Sequence, residues 1–131
     1  MAIAPGLRPQ RKKYRLRRNK DFQAVYSRGH FFSTPLLVLY CLPQKMPAAT
    51  RIGYSVARKL GNAVRRNRMR RRLRALVRLQ APALPATGYD LILLARQSAY
   101  NRTYHDLELS YAKLLQRFKR WHLEQRATRR E

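Results

Sequence analysis

Acidic side chains are the scarcest chemical group in this chain of 131 residues, which has 6 Asp and Glu against 30 Lys and Arg. The two acidic residues nearest to each other in sequence are Asp106 and Glu108. Side chains two positions apart on a predicted helix point in different directions, so they are poorly placed to act as an acid and base pair. The chain therefore offers no carboxylate pair suited to hydrolysis, and we predict that it contributes no catalytic residue.

Cysteine is also nearly absent, since Cys41 is the only one. An intramolecular disulfide is impossible, and the position of Cys41 inside the apolar run Leu36–Leu42 predicts a buried small side chain. The histidines His30, His105 and His122 form no spaced cluster with cysteine, which argues against a zinc site. His122 falls on the apolar row of the final predicted helix, where a packing role is expected. We predict no metal-binding residue in the protein itself.

Apolar runs long enough to cross a membrane are missing as well. A transmembrane helix needs about 18 to 20 apolar residues, and no run of this chain approaches that length. The N-terminal residues lack the ordered charged and apolar regions of a secretory signal peptide. A lone cysteine suits a reducing compartment. Together these absences predict a cytoplasmic protein that is not associated with a membrane.

What the chain has in excess is positive charge, with a formal net charge of +24. In the densest segment, residues 58–74, nine of the 17 residues are Arg or Lys and none is acidic. Charges packed so closely repel one another, and a bound polyanion would neutralise them while releasing its own counterions. A role in solubility is the alternative explanation, but the clustering of the charge favours binding. We infer that nucleic acid is the leading partner.

The basic segment also has the pattern of a helix, predicted from Gly61 to about Gln80. Four apolar residues recur at helical spacing and form a stripe: Met69, Leu73, Leu76 and Val77. The opposite side carries Asn67, Arg71, Arg74 and Arg78. We therefore expect this helix to pack on the protein through one side and to present a row of guanidinium groups on the other.

The ends of the chain and its first helix complete a single predicted domain, 1–131. Residues 1–14 are predicted to form a mobile basic arm, and residues 126–131 a frayed tail. A first helix is predicted at about 20–28, with Asn19 as its N-cap and Gly29 at its end.

The other patterns predict strands and a third helix. Extended segments are predicted at 30–34, 36–42 and 51–57, and a more apolar, central strand at Tyr89–Ala95. The strands at 36–42 and 51–57 are close in sequence and are expected to run antiparallel. Thr103 and Asp106 resemble a capping box at the start of the last helix. This order of elements predicts an α+β fold in which helices and one sheet form a two-layer α-β sandwich.

Aromatic residues are the second positive signal. Phe22 and Tyr26 share one face of the first predicted helix, and Tyr40 lies in the first main strand. Core packing is one explanation of these rings. A cleft that combines aromatic rings with arginines would instead suit single-stranded RNA, whose bases stack on rings while its backbone follows positive charge. The pattern leaves both explanations open.

One motif is more specific than composition. An Arg-Asn-Arg core at residues 66–68 is followed by further basic residues, and a strand and the tetrapeptide Gly-Asn-Ala-Val at 61–64 precede it. This combination closely resembles the protein component of bacterial ribonuclease P. The similarity extends to 15–26, 37–40 and 89–96, and it covers roughly residues 14–120. Ala75 and Val77 depart from the family, which often has Glu and Phe at these positions.

The resemblance implies a fold and a function. The family is the small subunit of a ribonucleoprotein that removes the 5′ leader from precursor tRNA. The RNA subunit performs the hydrolysis with bound Mg²⁺, while the protein binds the catalytic RNA and the leader without an obligate protein partner. The implied fold has three helices and one mostly antiparallel sheet of about four strands. It includes a left-handed βαβ crossover, against the usual right-handed rule, and the arginine-rich helix occupies that crossover.

The resemblance also implies two groups of binding residues. The RNA-binding positions are Lys59, Arg65, Arg66, Asn67, Arg68, Arg70, Arg71 and Arg74. The leader-binding positions are Phe22, Tyr26, Tyr40 and Ser55.

Two other functions share parts of the pattern. A ribosomal or other structural RNA-binding protein could carry a similar basic helix on a sheet without any role in processing. A self-sufficient nuclease is disfavoured because the chain lacks acidic and metal-ligating clusters.

Overall fold

Strand pairing builds one four-stranded sheet in the computed structural model, which describes residues 15–57, 61–80 and 84–130. The elements in chain order are α1 (Asn19–Arg28), β1 (His30–Ser33), β2 (Leu37–Pro43), β3 (Arg51–Val56), α2 (Ala63–Gln80), β4 (Tyr89–Ala95), a short 3₁₀ helix (Gln97–Ala99) and α3 (Tyr104–Arg130). The predicted α+β class, with three helices and four strands, is confirmed.

The strand order across the sheet is β1-β2-β4-β3. β2 pairs antiparallel with both β1 and β4, whereas β3 pairs parallel with β4. The prediction of a mostly antiparallel sheet with a central strand at Tyr89–Ala95 is therefore confirmed. β2 and β3 do run in opposite directions, but β4 lies between them. β4 takes the position between them because it is buried along nearly its whole length, and such a strand has paired strands on both sides.

The parallel pairing of β3 with β4 requires a crossover connection, because the chain must return to the end of the sheet where β3 begins before β4 can start. α2 lies within that crossover. The left hand of this connection stays a prediction from the family resemblance.

The two faces of the sheet are covered differently. α2 and α3 pack on one face and enclose the main core, which forms the predicted two-layer sandwich. On the other face, Ile92 points away from Leu91 and Leu93 and packs with Val25 of α1 and with Leu16. α1 is therefore a partial cover on the opposite face, a placement that the sequence pattern did not predict.

The apolar stripe predicted for α2 is buried at all four positions, Met69, Leu73, Leu76 and Val77. The helix begins at Ala63, two residues later than predicted. Gly61 has a φ of 95°, in the left-handed region that suits glycine. Asn62 then caps the helix, because its Oδ1 accepts a hydrogen bond from the backbone N–H of Arg65 at 3.0 Å.

The prediction that Asn19 caps α1 is wrong. Asn19 is the first helical residue, and the cap position belongs to Arg18, which makes no side-chain capping bond. The Arg18 carbonyl instead accepts hydrogen bonds from the N–H groups of Asp21 and Phe22. At the other end Gly29 stops the helix as predicted, although its φ of −75° is ordinary. Glycine is needed there because a Cβ would lie 2.4 Å from the carbonyl oxygen of Val25.

α3 begins with the predicted capping box. The N–H of Asp106 donates to Thr103 Oγ1 at 3.1 Å, and the N–H of Thr103 donates to Asp106 Oδ2 at 3.2 Å. The predicted packing role of His122 is confirmed, since its Nδ1 shares a hydrogen bond of 2.6 Å with the Tyr89 hydroxyl. The helix continues to Arg130 and so includes most of the predicted frayed tail. The predicted basic arm at 1–14 lies outside the described residues.

Cys41 is fully buried in the main core, as predicted. Its Sγ donates a hydrogen bond to the His30 carbonyl at 3.5 Å. Burial raises the pKa of the thiol to about 12, because the thiolate would lose its hydration.

The capping box provides a test of how α3 is stabilised. Thr103→Ala should lower the free energy of unfolding by about 1 kcal/mol, because it leaves the Asp106 N–H without its side-chain acceptor. Thr103→Ser retains a hydroxyl and should stay close to the unmodified chain. Urea unfolding followed by circular dichroism measures both variants, and equal stability of all three proteins would contradict a capping role.

Candidate nucleic-acid interface

The buried stripe divides the arginines of α2 into groups with different surroundings. Asn67, Arg71 and Arg78 are exposed and face away from the protein. We call the second group the Tyr100 side; it comprises Arg65, Arg68 and Arg72. The third group, the β3 side, comprises Arg70 and Arg74. Arg66 lies near the helix start, where its Nη1 donates to the Gly61 carbonyl at 2.8 Å.

The Tyr100 side borders a cavity of about 340 Å³ between the start of α2 and the segment before α3. The guanidinium carbon of Arg65 lies 4.6 Å from the centre of the Tyr100 ring, within cation–π range. Arg72 Nη1 donates to the Arg102 carbonyl at 3.2 Å. These contacts hold two arginine side chains in place on a surface whose charge is positive.

On the β3 side, the structure differs from the sequence prediction for Arg74. Arg74 was expected in the open row with Arg71 and Arg78, but it is half-buried, with its guanidinium carbon 5.7 Å from the centre of the Tyr54 ring. Burial lowers the pKa of Arg74, and the nearby charge of Arg15 lowers it further. The helix is rotated this way because the stripe must face the sheet, which turns position 74 toward the edge of β3 rather than toward water.

Three carboxylates of the described residues, Asp21, Asp90 and Asp106, form ion pairs with arginines outside α2. Arg51 pairs with Asp90 at 2.7 Å and with Asp21 at 3.5 Å, and Arg102 pairs with Asp106 at 3.1 Å. These three carboxylates are therefore not available to neutralise the arginines of α2. A closely spaced set of positive charges with few counter-charges attracts phosphate groups, and arginine binds them through two parallel hydrogen bonds.

On the opposite face of the sheet, the structure brings together all four predicted leader-binding residues. The ring centres of Tyr26 and Tyr40 are 4.9 Å apart and their planes are perpendicular, while Phe22 and Tyr26 are 6.3 Å apart. The side chains of Tyr26 and Ser55 share a hydrogen bond. Burial raises the pKa of Tyr26, and the hydrogen bond with Ser55 partly offsets this effect. We call this group the aromatic cleft.

Phe31 is a member of the aromatic cleft that sequence reasoning missed. It pairs with Tyr40 across β1 and β2, their ring centres are 5.7 Å apart, and 58% of its surface is exposed. Strand alternation was the signal that could have found it, because neighbouring residues of a strand point to opposite faces. Phe32 and His30 point to the other face, where they contact Trp121. Without the register of β1 against β2, the sequence did not show which of the two phenylalanines faces the cleft.

The position of α1 over the sheet depends on two close contacts. Arg51 joins Asp21 of α1 to Asp90 of β4, which ties the helix to the central strand. A Cβ at Gly53 would lie 2.5 Å from Cζ of Phe22, so the missing side chain lets the ring approach β3. Phe22 is thus partly a packing residue, whereas Tyr26 exposes 38% of its surface.

The remaining site predictions concern metals, membranes and Lys59. Within 15–57, 61–80 and 84–130, no group of three or more His, Cys, Asp or Glu side chains could hold a metal ion. None of the described helices combines the length and apolar character needed to cross a bilayer. Lys59 lies outside the described residues.

Comparison with known proteins gives a consistent result. The family model described as Ribonuclease P matches residues 11–119. The ribonuclease P protein component of Clostridium botulinum (strain Langeland) is 39% identical over 106 residues, which is 81% of this chain and 95% of the relative. That of Listeria innocua is 40% identical over 106 residues, covering 80% of this chain and 87% of the relative.

Solved structures agree with this assignment. The ribonuclease P protein of Staphylococcus aureus superimposes with a TM-score of 0.72 at 35% identity, covering 81% of this chain and 95% of that one. The ribonuclease P protein of Thermotoga maritima gives a TM-score of 0.69 at 26% identity, with coverage of 79% and 96%. This chain, with its arginine-lined helix and its aromatic cleft on one small sheet, therefore belongs to the ribonuclease P protein family.

Proposed function

We propose that this protein is the RNA-binding subunit of ribonuclease P and acts through two surfaces. The arginines of α2 bind the catalytic RNA, and the aromatic cleft binds the 5′ leader of precursor tRNA. By holding both, the protein assists endonucleolytic removal of the leader. The observation that carries the proposal is the presence of two different RNA-binding chemistries, guanidinium groups and exposed rings, on opposite faces of one sheet.

The chemistry of each surface suits its proposed ligand. A folded RNA presents dense phosphates, which arginines bind without reading sequence. A leader is single-stranded, so its bases are free to stack on Tyr26, Tyr40 and Phe31. Because stacking tolerates any base, such a cleft could accept leaders of different sequence. The role of the protein would then be to position substrate rather than to select a sequence.

Hydrolysis is assigned to the RNA in this proposal. The described residues provide no group of three or more metal-ligating side chains, and they hold the carboxylates of Asp21, Asp90 and Asp106 in ion pairs with arginines. They do not fit a magnesium site of their own, and we propose that the Mg²⁺ implied by the family is bound mainly by the RNA subunit. We place this activity in the cytoplasm, without an obligate protein partner.

A structural RNA-binding protein is the alternative, and one assay separates it from the proposal. The purified chain is added to precursor tRNA with and without the catalytic RNA of a bacterial ribonuclease P, at a Mg²⁺ concentration where the RNA alone cleaves slowly. We expect cleavage at the mature 5′ end to be faster with both components, and no cleavage by the protein alone. A protein that binds the RNA but leaves the rate unchanged would favour the structural role.

The arginine surface is tested by Arg66→Ala and Arg68→Ala. Both variants should bind the catalytic RNA more weakly, and each should make the log–log salt dependence of binding less negative by roughly one, because a phosphate contact is lost. Thermal melting should change little, since the buried stripe holds α2 in place.

Arg120→Ala is the matched control for charge, because Arg120 is an exposed arginine of α3. Its binding should resemble that of the unmodified chain. If Arg120→Ala weakens binding as much as the α2 substitutions do, the protein binds RNA through net charge alone and the α2 assignment is wrong.

The aromatic cleft is tested by Tyr26→Ala and Phe22→Ala in the reconstituted holoenzyme. Stacking on an aromatic ring contributes about 1–3 kcal/mol per base. Both variants should therefore weaken binding of precursor tRNA while leaving mature tRNA nearly unaffected, at a fixed salt concentration.

Tyr26→Phe keeps the ring and loses only the hydrogen bond with Ser55, so it should retain most of the affinity for precursor tRNA. Because Phe22 packs on Gly53, the stability of Phe22→Ala is measured first. Equal losses for precursor and mature tRNA would show that the rings do not bind the leader.

A further inference from the structure

A small cavity at the outer edge of β3, beside the segment that carries Arg15 and Arg17, lies between the two proposed RNA-binding surfaces. Its volume is about 240 Å³, and four arginines and one tyrosine border it. These are Arg15, Arg17, Tyr54, Arg70 and Arg74. Phe22 and Gly53 also line it, so one end of the cavity touches the aromatic cleft, while Arg70 and Arg74 belong to α2. No acidic residue is among the described residues that line the cavity.

Main-chain pairing gives the cavity a fixed shape on one side. The N–H of Leu16 donates to the Ile52 carbonyl at 3.0 Å, and Arg15 pairs with Ile52 in a parallel bridge. Leu16 itself is buried. The backbone that carries Arg15 and Arg17 is therefore held against the edge of β3, opposite the arginines of α2.

Two polar atoms of the residues that line this cavity have no hydrogen-bond partner among the described residues. They are the Tyr54 hydroxyl and Arg74 Nε, and both are shielded from water. Tyr54 exposes only 9% of its surface. A buried donor without an acceptor costs free energy, which a bound acceptor would recover.

The charges around these atoms add to that cost. Burial lowers the pKa of Arg74 most, and the positive charges of Arg15, Arg70 and Arg71 lower it further. The guanidinium of Arg70 donates to Asn67 Oδ1 at 2.9 Å, and this neutral partner leaves its charge uncompensated. An anion with several acceptor oxygens would both relieve the repulsion and provide acceptors for the Tyr54 hydroxyl and Arg74 Nε.

We infer that the cavity binds one backbone phosphate of an RNA, with the Tyr54 hydroxyl and the Arg74 guanidinium as donors and with Arg15, Arg17 and Arg70 supplying charge. This inference rests on the proposed function. An RNA phosphate fits better than a free anion, because the cavity opens between the aromatic cleft and α2, where a bound strand would pass. The phosphate would come either from the catalytic RNA or from the leader.

The test compares Tyr54→Phe with Tyr111→Phe. Both tyrosines have buried hydroxyls without a partner among the described residues, but Tyr54 lines the cavity and Tyr111 is enclosed in the core. Neither hydroxyl has a hydrogen-bond partner among the described residues, so both variants should fold with a thermal stability equal to or slightly above that of the unmodified chain. Tyr54→Phe should weaken RNA binding about tenfold, the size expected when a hydrogen bond to a charged group is removed. Tyr111→Phe should bind as the unmodified chain does.

Arg74→Gln and Arg78→Gln form a second matched pair on α2, since Arg74 lines the cavity and Arg78 is exposed away from it. Arg74→Gln should cause the larger loss of affinity. In the double variant with Tyr54→Phe, the two losses should be smaller than additive, because both residues contact one phosphate. Equal losses for Arg74→Gln and Arg78→Gln, or full additivity, would count against a shared ligand.

Three binding measurements identify the source of the phosphate. The first uses the catalytic RNA alone, the second compares precursor with mature tRNA in the holoenzyme, and the third uses inorganic phosphate. A tenfold effect of Tyr54→Phe in the first assigns the phosphate to the catalytic RNA, and an effect confined to precursor tRNA assigns it to the leader. An effect on inorganic phosphate alone would make the cavity a small-anion site and overturn the inference.

The inference and the proposed function fail in different ways. If the unmodified chain binds the catalytic RNA and stimulates cleavage, but Tyr54→Phe is indistinguishable from it in every measurement, only the phosphate site is wrong. If the unmodified chain neither binds that RNA nor stimulates cleavage, the proposed function is wrong, and the assignment of the cavity to RNA is wrong with it.

Discussion

Burial of one apolar stripe determines where every arginine of α2 can lie. Met69, Leu73, Leu76 and Val77 are almost fully removed from water, and burying such a side chain contributes about 1.5–3 kcal/mol. The observed rotation of the helix buries all four of these residues, and the charged positions are fixed as a consequence. The mutual repulsion of the arginines is therefore sustained by packing on the far side of the same helix.

A single strand links the two surfaces that we propose for RNA. Along β3, Ile52, Tyr54 and Val56 belong to the core beneath α2, while the intervening positions face α1. Gly53 leaves room for Phe22, and Ser55 meets Tyr26. β3 is bonded along its length to the central strand, so the cleft and the arginine helix are both attached to the same paired strand. This shared attachment would let one RNA position another across the protein.

The parts of this structure that sequence predicts are those set by local periodicity. The stripe on α2, the capping box of Thr103 and Asp106, and the shared face of Phe22 and Tyr26 all follow from residues within a few positions of one another. Pairing between distant segments is not local, which is why the patterns predicted a central strand at Tyr89–Ala95 but not its insertion between β2 and β3. The half-buried Arg74 and the exposed Phe31 depend on that pairing too, because each is oriented by a neighbour distant in sequence. The helix start at Asn19 was missed because the Arg18 carbonyl, rather than a side chain, satisfies the first amides.

Cys41 has a consequence for how this assembly can be studied. Its thiol is enclosed in the core, and its pKa of about 12 leaves almost no thiolate at neutral pH. The native chain therefore has no accessible reactive thiol, although its sequence contains a cysteine. A cysteine introduced at an exposed position, such as Arg71 on α2 or Gln23 on α1, would be the sole site of alkylation in the folded protein. Photo-crosslinkers or fluorophores attached there could map neighbouring nucleotides without any change to the core.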